Sequence, residues 1–205
     1  MDSGKRAVIF DVGNVLFQWD RDAMYAPLIE DDRARRAFLD DVVSIDWHSQ
    51  HDLGVPFAET SAELRARFPD HSALIDLYGP RFNDSLQNEV PGIVPILESL
   101  DAADVPLFAL TNFHDEFFAA FRASRPDVFG RFRDIVVSGE EKLIKPDTAI
   151  YTLALERFGV AARDAVFIDD LAANVAAANA VGITGLLFTD AATLRADLAK
   201  LGLPG

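Results

Sequence analysis

A chain of 205 residues, half of them hydrophobic and a quarter charged, can build one core domain or a core with a smaller inserted module. Its formal net charge of −14 sets it against phosphate backbones and anionic membrane surfaces, so neither nucleic acid nor membrane is expected as a partner. It has no cysteine, which excludes disulfides and thiolate metal sites. It also has no apolar run near the length of a membrane span, and its N-terminal apolar stretch is too short for a signal peptide, so a cytoplasmic protein is expected.

The first apolar run, RAVIFDV at 6–12, is continuous, as in a strand covered on both faces; Asp11 lies near its end. From residue 20 to about residue 90 the pattern is helical without a convincing strand. Helices are predicted over 21–29, 32–46, 57–68 and 71–87, punctuated by Gly54, Pro56, Pro69 and Pro91. Within this stretch RARR at 33–36 reads as a solvated helix face, and Trp19 and Trp47 read more readily as core than as pocket wall. The chain returns through EVPGI at 89–93 to a helix over 92–103 and a second strand, PLFALT at 106–111, ending in Thr111-Asn112. A helix over 114–123 carries Phe117, Phe118 and Phe121 at helical spacing; with Phe113 they read as packing against the sheet, and His114 reads as a helix start. A third strand, DIVVS at 134–138, leads into SGEEKLIKPD with Lys142 and Lys145. The next helix, 146–158, would hold Pro146 in its first turn and stop before Gly159. AVFIDD at 165–170 forms a fourth strand ending in Asp169-Asp170, a helix over 171–180 stops before Gly182, and GLLFT at 185–189 forms a fifth strand.

This alternation predicts an α/β fold, a three-layer doubly wound parallel sheet of Rossmann-like type, over residues 1–19 and 90–205. Residues 20–89 would be a helical module inserted after the first strand. Ligands of such sheets bind at the carboxyl ends of the strands, so Asp11, Thr111-Asn112, the Lys142–Lys145 loop and Asp169-Asp170 should converge. Two carboxylates about 4 Å apart repel by about 4 kcal/mol at an effective dielectric of about 20, and an anionic substrate adds to that. Such a site requires cations. Lys145, with Lys142 as its competitor, supplies one; a hard divalent ion held by carboxylate and carbonyl oxygens, Mg2+ before others, supplies the second. An aspartate kept ionised between metal and lysine is suited to attack phosphorus, and Thr111 could bond a phosphoryl oxygen. Backbone N–H groups after Asp11 would form an anion-binding nest, which would account for Gly13.

Four segments, FDVGNVL, LTN, KPD and FIDDLAANVAAA, stand in the order and at the intervals of the haloacid dehalogenase-like (HAD) superfamily, which the chain resembles over about residues 5–18 and 90–205. The resemblance implies Asp11 as nucleophile, Thr111 as phosphate binder and Lys145 as stabilising cation. It implies a Mg2+ ion held by Asp11, the Gly13 carbonyl, Asp169 and Asp170, directly or through water. Gly13, Asn14, Asn112 and His48 are the expected contacts to a small phosphorylated metabolite, although Asn112 and Asn174 are also of the type that holds loops. The insertion looks like the family's smaller cap, which closes over the site. Within the family, Asp-x-Gly-Asn-Val is similar to the first motif of a bacterial phosphatase acting on glucose 1-phosphate, so a sugar phosphate is one expectation.

Family phosphatases usually carry an aspartate where this chain has Gly13; it protonates the leaving oxygen and then activates water. His48, His51, Asp20 or a water could replace it, the leaving group could need little help, or turnover could be slow. Two rival readings remain: a metal-independent 2-haloacid dehalogenase with Asp11 attacking carbon, and a catalytically degenerate module that binds a phosphate ligand. The Asp169-Asp170 pair argues against the first, because extra anions beside a carboxylate substrate make little sense without metal.

Overall fold

The computed structural model describes residues 6–205; residues 1–5 of the expected core segment lie outside the described residues. Five parallel strands form one sheet in the order β3-β2-β1-β4-β5: β1 Ala7–Phe10, β2 Leu107–Thr111, β3 Asp134–Val137, β4 Ala165–Asp169 and β5 Thr184–Leu187. β1 pairs Val8 with Leu107 on one side and with Val166 on the other. The chain winds outward from β1 in one direction, then crosses over to continue in the other. The cleft where strand order reverses therefore opens above β1 and β4.

The continuous apolar runs serve two faces. Val8, Phe10, Ala109, Val137 and Ile168 point into one core layer, with Ile96, Leu97 and Leu100 of the helix Ile93–Ala102 and Leu194 and Leu198 of the helix Ala191–Lys200. Ala7, Ile9, Phe108, Val136 and Phe167 point into the other, against Ile150, Tyr151 and Ala154 of the helix Thr148–Phe158 and Ala178 of the helix Ala172–Ala180. Helix, sheet and helix thus form the three expected layers. Phe113, Phe117, Phe118 and Phe121 are buried in the first layer, where Phe17 meets Phe121 edge-on at 4.9 Å. Such aromatic contacts are each worth about 0.5–1.5 kcal/mol beyond area burial.

Between β1 and β2 the described chain is helical and more broken than its periodicity suggests. The expected helix over 32–46 ends as an α-helix at Ala37 and passes through a π-helical turn, Phe38–Val42; Ser44 then caps a new helix, Ile45–Asp52, by accepting from the Trp47 N–H at 3.2 Å. The expected helix over 71–87 divides into Ser72–Asp76, Tyr78–Arg81 and a 3-10 turn, Phe82–Leu86. The ring of Pro80 excludes an α-helical turn onto the carbonyl four residues back, and the first piece ends there, at Asp76. Pro146 does not open its helix: it follows a cis peptide, and Asp147 caps the helix that begins at Thr148. Of RARR, Arg33, Ala34 and Arg36 are exposed as expected, while Arg35 is partly buried and bonds the Asp22 and Asp32 carboxylates at 2.7 and 2.8 Å.

The chain leaves and re-enters the sheet domain along paired backbone. Val90 N–H bonds Leu16 C=O, Gln18 N–H bonds Asn88 C=O, and Asp20 N–H bonds Ser85 C=O, all at 2.8–2.9 Å.

Candidate active site

Asp11 lies one residue past β1, its N–H bonded to Ile168 C=O of β4 at 2.9 Å. Asp169 is the last residue of β4, and Asp170 follows it. One carboxylate oxygen from each of the three lies within 4.8 Å of the others. Lys145 reaches in from the loop after β3. Its Nζ stands 2.8 Å from Asp11 Oδ1 and 2.8 Å from Asp169 Oδ2, and only 3% of the residue is exposed. Lys142 is exposed, with positive φ. Asn112 sets the reach of Lys145 by clamping its main chain: Asn112 Oδ1 accepts from Lys145 N–H at 2.9 Å, and Asn112 Nδ2 donates to Lys145 C=O at 3.0 Å.

Burial lifts the Asp11 carboxyl above its ordinary range; Lys145 opposes the rise and Asp169 adds to it. Burial alone would depress the Lys145 ammonium, but its two carboxylates outweigh burial and leave its pKa raised. Asp170 is raised by burial and then by Asp169. The cluster is short of positive charge, and a divalent cation would relieve all three carboxylates.

The donor set suits such an ion. It consists of hard oxygens, and octahedral Mg2+ at about 2.1 Å places its ligands about 3.0–4.2 Å apart, close to the observed spread. Lys145 does not fill the space. A cleft of about 330 Å3 opens beside Asp11, Gly13, Asn14, Lys145 and Asp170, within the usual size range of small-molecule sites. Asp169 does not line it. Its Oδ1 accepts from Leu171 N–H at 2.8 Å and its Oδ2 from Lys145, while Asn174 Nδ2 lies 3.0 Å from both oxygens. Asn14, in the left-handed region at φ 56, holds Asp170 at 3.3 Å and accepts from Trp19 N–H at 3.1 Å.

Several expectations need correcting. The nest expected after Asp11 is narrower than foreseen: Val12 N–H bonds Asp11 Oδ1 at 2.7 Å and Asn14 N–H bonds Phe17 C=O at 2.6 Å, which leaves the Gly13 and Val15 N–H groups without a partner among the described contacts. Nor does the backbone demand glycine at 13, since its φ is not left-handed and a Cβ there would meet nothing within 4 Å. Thr111 is buried at the end of β2 and does not line the cleft; Asn112 does line it, with its amide bonded to the Lys145 main chain. Among the suggested replacements for the acid/base, Asp20 caps the helix Arg21–Tyr25, and His51 is fully buried against Thr60 Oγ1 at 2.6 Å. His48 does line the cleft, but Tyr78 OH holds its Nδ1 at 2.8 Å, and burial pushes its pKa down to about 3.

Sequence reasoning missed Asp52, at the end of the unpredicted helix Ile45–Asp52. It lines the cleft and is 8% exposed, and its Oδ1 has no hydrogen-bond partner among the described residues. Burial pushes its carboxyl up to about 7, with Lys145 drawing it down and Asp11 adding to the rise. The spacing His48-x-x-x-Asp52, one turn of a helix, was the signal available.

Comparison with known proteins gives a consistent frame. A family model described as a haloacid dehalogenase-like hydrolase matches residues 5–182, a span holding Asp11, Lys145 and the Asp169-Asp170 pair. Sesquiterpene phosphatase astK of Aspergillus oryzae is 25% identical over 207 residues, 96% of each chain. A HAD family enzyme of Bacteroides thetaiotaomicron, solved with magnesium and inorganic phosphate, superposes with a TM-score of 0.72 at 20% identity, covering 91% of this chain and 96% of that one. An L-2-haloacid dehalogenase superposes with a TM-score of 0.64 at 24% identity, covering 90% and 86%. The two superpositions show a shared fold. Among the described residues no helix is long and apolar enough to cross a membrane.

Proposed function

The chain belongs to the haloacid dehalogenase-like hydrolases, and on that premise we propose that it hydrolyses a small phosphate monoester, with Mg2+, through an aspartyl-phosphate on Asp11. The observation that carries this reading is the meeting of Asp11 with Asp169 and Asp170 within 4.8 Å, beside a buried lysine and at the wall of a cleft. Asp11, the Gly13 carbonyl and Asp170 would hold the ion, with Asp169 acting through water or through Lys145. When bound, Mg2+ would polarise the phosphoryl oxygens and keep Asp11 ionised.

The chain's own groups would do the rest. Lys145 neutralises charge on Asp11 and on the arriving phosphate. Asp169 and Asn112 aim Lys145 from opposite ends, one at the ammonium and one at the main chain. The helical residues 20–89 would act as a cap that shapes the organic half of the site.

That half is mainly apolar. Trp19, Ile45, Phe82, Leu86, Phe113 and Leu171 line the cleft, and few side chains there are free to pair with hydroxyls. We therefore place monoesters with an apolar organic group ahead of sugar 1-phosphates, in keeping with the name of the Aspergillus relative, a sesquiterpene phosphatase.

The test is phosphate release from a panel of alkyl, isoprenoid, sugar and nucleotide monophosphates, with Mg2+ and with chelator. Metal-dependent release, abolished by Asp11→Asn, is expected. Halide release from 2-chloropropionate without metal would replace this reading with the dehalogenase one. A phosphoenzyme that forms once and persists would favour a binding module.

A further inference from the structure

We propose that Asp52, supplied by the helical insertion, is the catalytic acid and base for which position 13 has no side chain; the proposal rests on the phosphatase reading above. Asp52 shares the cleft with Asp11, Gly13 and Lys145. Its carboxyl is nine-tenths buried, and its Oδ1 has no hydrogen-bond partner among the described residues. That oxygen is also closed to solvent, and a buried carboxyl without a partner is less costly protonated than ionised, so burial keeps a proton on a group at the cleft wall.

Its main chain is seated on the sheet domain. Ser138 Oγ, at the end of β3, donates to Asp52 C=O at 2.6 Å and accepts from Phe113 N–H at 3.0 Å, two residues past β2. Two residues after Asp52 the backbones nearly touch: a Cβ on Gly54, which has φ +76, would lie 2.4 Å from Gly139 O. The helix end is thus fixed over the carboxyl ends of β2 and β3, at the wall of the cleft that Asp11 also lines.

The titratable groups facing Asp52 are Asp11 and Lys145 from the sheet domain, Tyr78 from the helix Tyr78–Arg81, which stays neutral because burial raises its pKa, and, on its own helix, His48, whose Nε2 is 3.7 Å from Asp52 Oδ2. His48 is held neutral by burial, so it does not compete as the acid. The opposing pulls of burial and Lys145 leave both forms of Asp52 populated near neutral pH, as a group that gives and regains a proton requires.

The cycle balances. Asp11 attacks phosphorus; the bond to the leaving oxygen breaks with its electron pair, and that oxygen takes the proton of protonated Asp52 and departs as an alcohol. Water then attacks the aspartyl-phosphate and gives its proton to Asp52 carboxylate. The phosphorus–Asp11 bond breaks, releasing phosphate and restoring both aspartates.

The experiment compares wild type and Asp52→Asn, with Mg2+, on p-nitrophenyl, phenyl and n-hexyl phosphate. An acid matters most for the poorest leaving group. Asp52→Asn should slow n-hexyl phosphate by about 100-fold or more, yet keep a rapid burst of p-nitrophenol followed by slow turnover as phosphoenzyme accumulates. Recovery of n-hexyl phosphate hydrolysis in a Gly13→Asp, Asp52→Asn double variant would support the same assignment. An equal loss across the three substrates in Asp52→Asn, or no loss, would overturn it. So would a steep fall from p-nitrophenyl to n-hexyl phosphate in the wild type, which needs no variant to fold. A wild type that hydrolyses none of the three would overturn the phosphatase reading itself.

Discussion

Asp52→Asn should make the metal-free protein more stable above neutral pH. The carboxyl has an ordinary value of 3.8 and is lifted to about 7 by burial. At about 1.4 kcal/mol for each tenfold change in proton affinity, that displacement corresponds to about 4 kcal/mol. Its sign follows from proton counting. Below 3.8 the folded and unfolded states are both protonated, and the folded chain bears no ionisation cost. Between 3.8 and about 7 the unfolded chain gives up the proton while the folded one keeps it, so wild-type stability falls as pH rises. Asparagine keeps the shape and does not titrate. Urea unfolding in chelator at about pH 4, 6 and 8 should find the two proteins alike at the lowest pH and the variant ahead by up to about 4 kcal/mol at the highest. For a chain of this length the gap corresponds to about 8–16 °C in Tm. Identical pH profiles would refute the burial argument and show that Asp52 carries an ordinary carboxyl.

Adding Mg2+ at about 100 times its Kd should stabilise the protein by about 2.7 kcal/mol, and Asp170→Asn should abolish that gain; unchanged thermal melting with and without the ion would count against the metal site. Lys145→Met removes the only cation bonded to Asp11 and Asp169 among the described contacts and should cost about 3–5 kcal/mol at about pH 8, less at about pH 5 where the raised Asp11 carboxyl takes up a proton; denaturant unfolding at the two pH values reads it. Trp19→Ala should raise KM for n-hexyl phosphate about tenfold while leaving that for glycerol phosphate near wild type, because about 1.5 kcal/mol of apolar contact is lost to only one of them; an equal change for both would remove the apolar-pocket argument.

Four strands of the sheet were legible because they are buried on both sides: VIF, LFALT, IVV and VFID have no polar alternation to confuse with helix, whereas the edge strand Thr184–Leu187 is only partly buried. The residues closing those strands were legible for the same reason, since a charge after a fully apolar run has few structural uses. The insertion was harder to read. IDWHSQHD has no amphipathic pattern, because its helix buries Trp47, His48, His51 and Asp52 together, so polarity and burial part company there. Asp52, followed by Leu53-Gly54, looks like a turn residue until the fold carries it over Asp11. The engagement of Asp169 by Asn174 and of Asn112 by Lys145 depends on side-chain directions that residue spacing does not encode.

The paired backbone at Leu16–Asp20 and Ser85–Val90 holds the mouth of the helical loop shut at the sheet domain. A loop tethered at both ends contributes to chain entropy only through the logarithm of its length, so doubling it would cost about 0.6 kcal/mol. Lineages could lengthen, shorten or exchange the segment between those tethers with little penalty to the scaffold beneath. Diversification of such a protein would then proceed by redrawing the roof while the floor, with its aspartates and lysine, stays as it is.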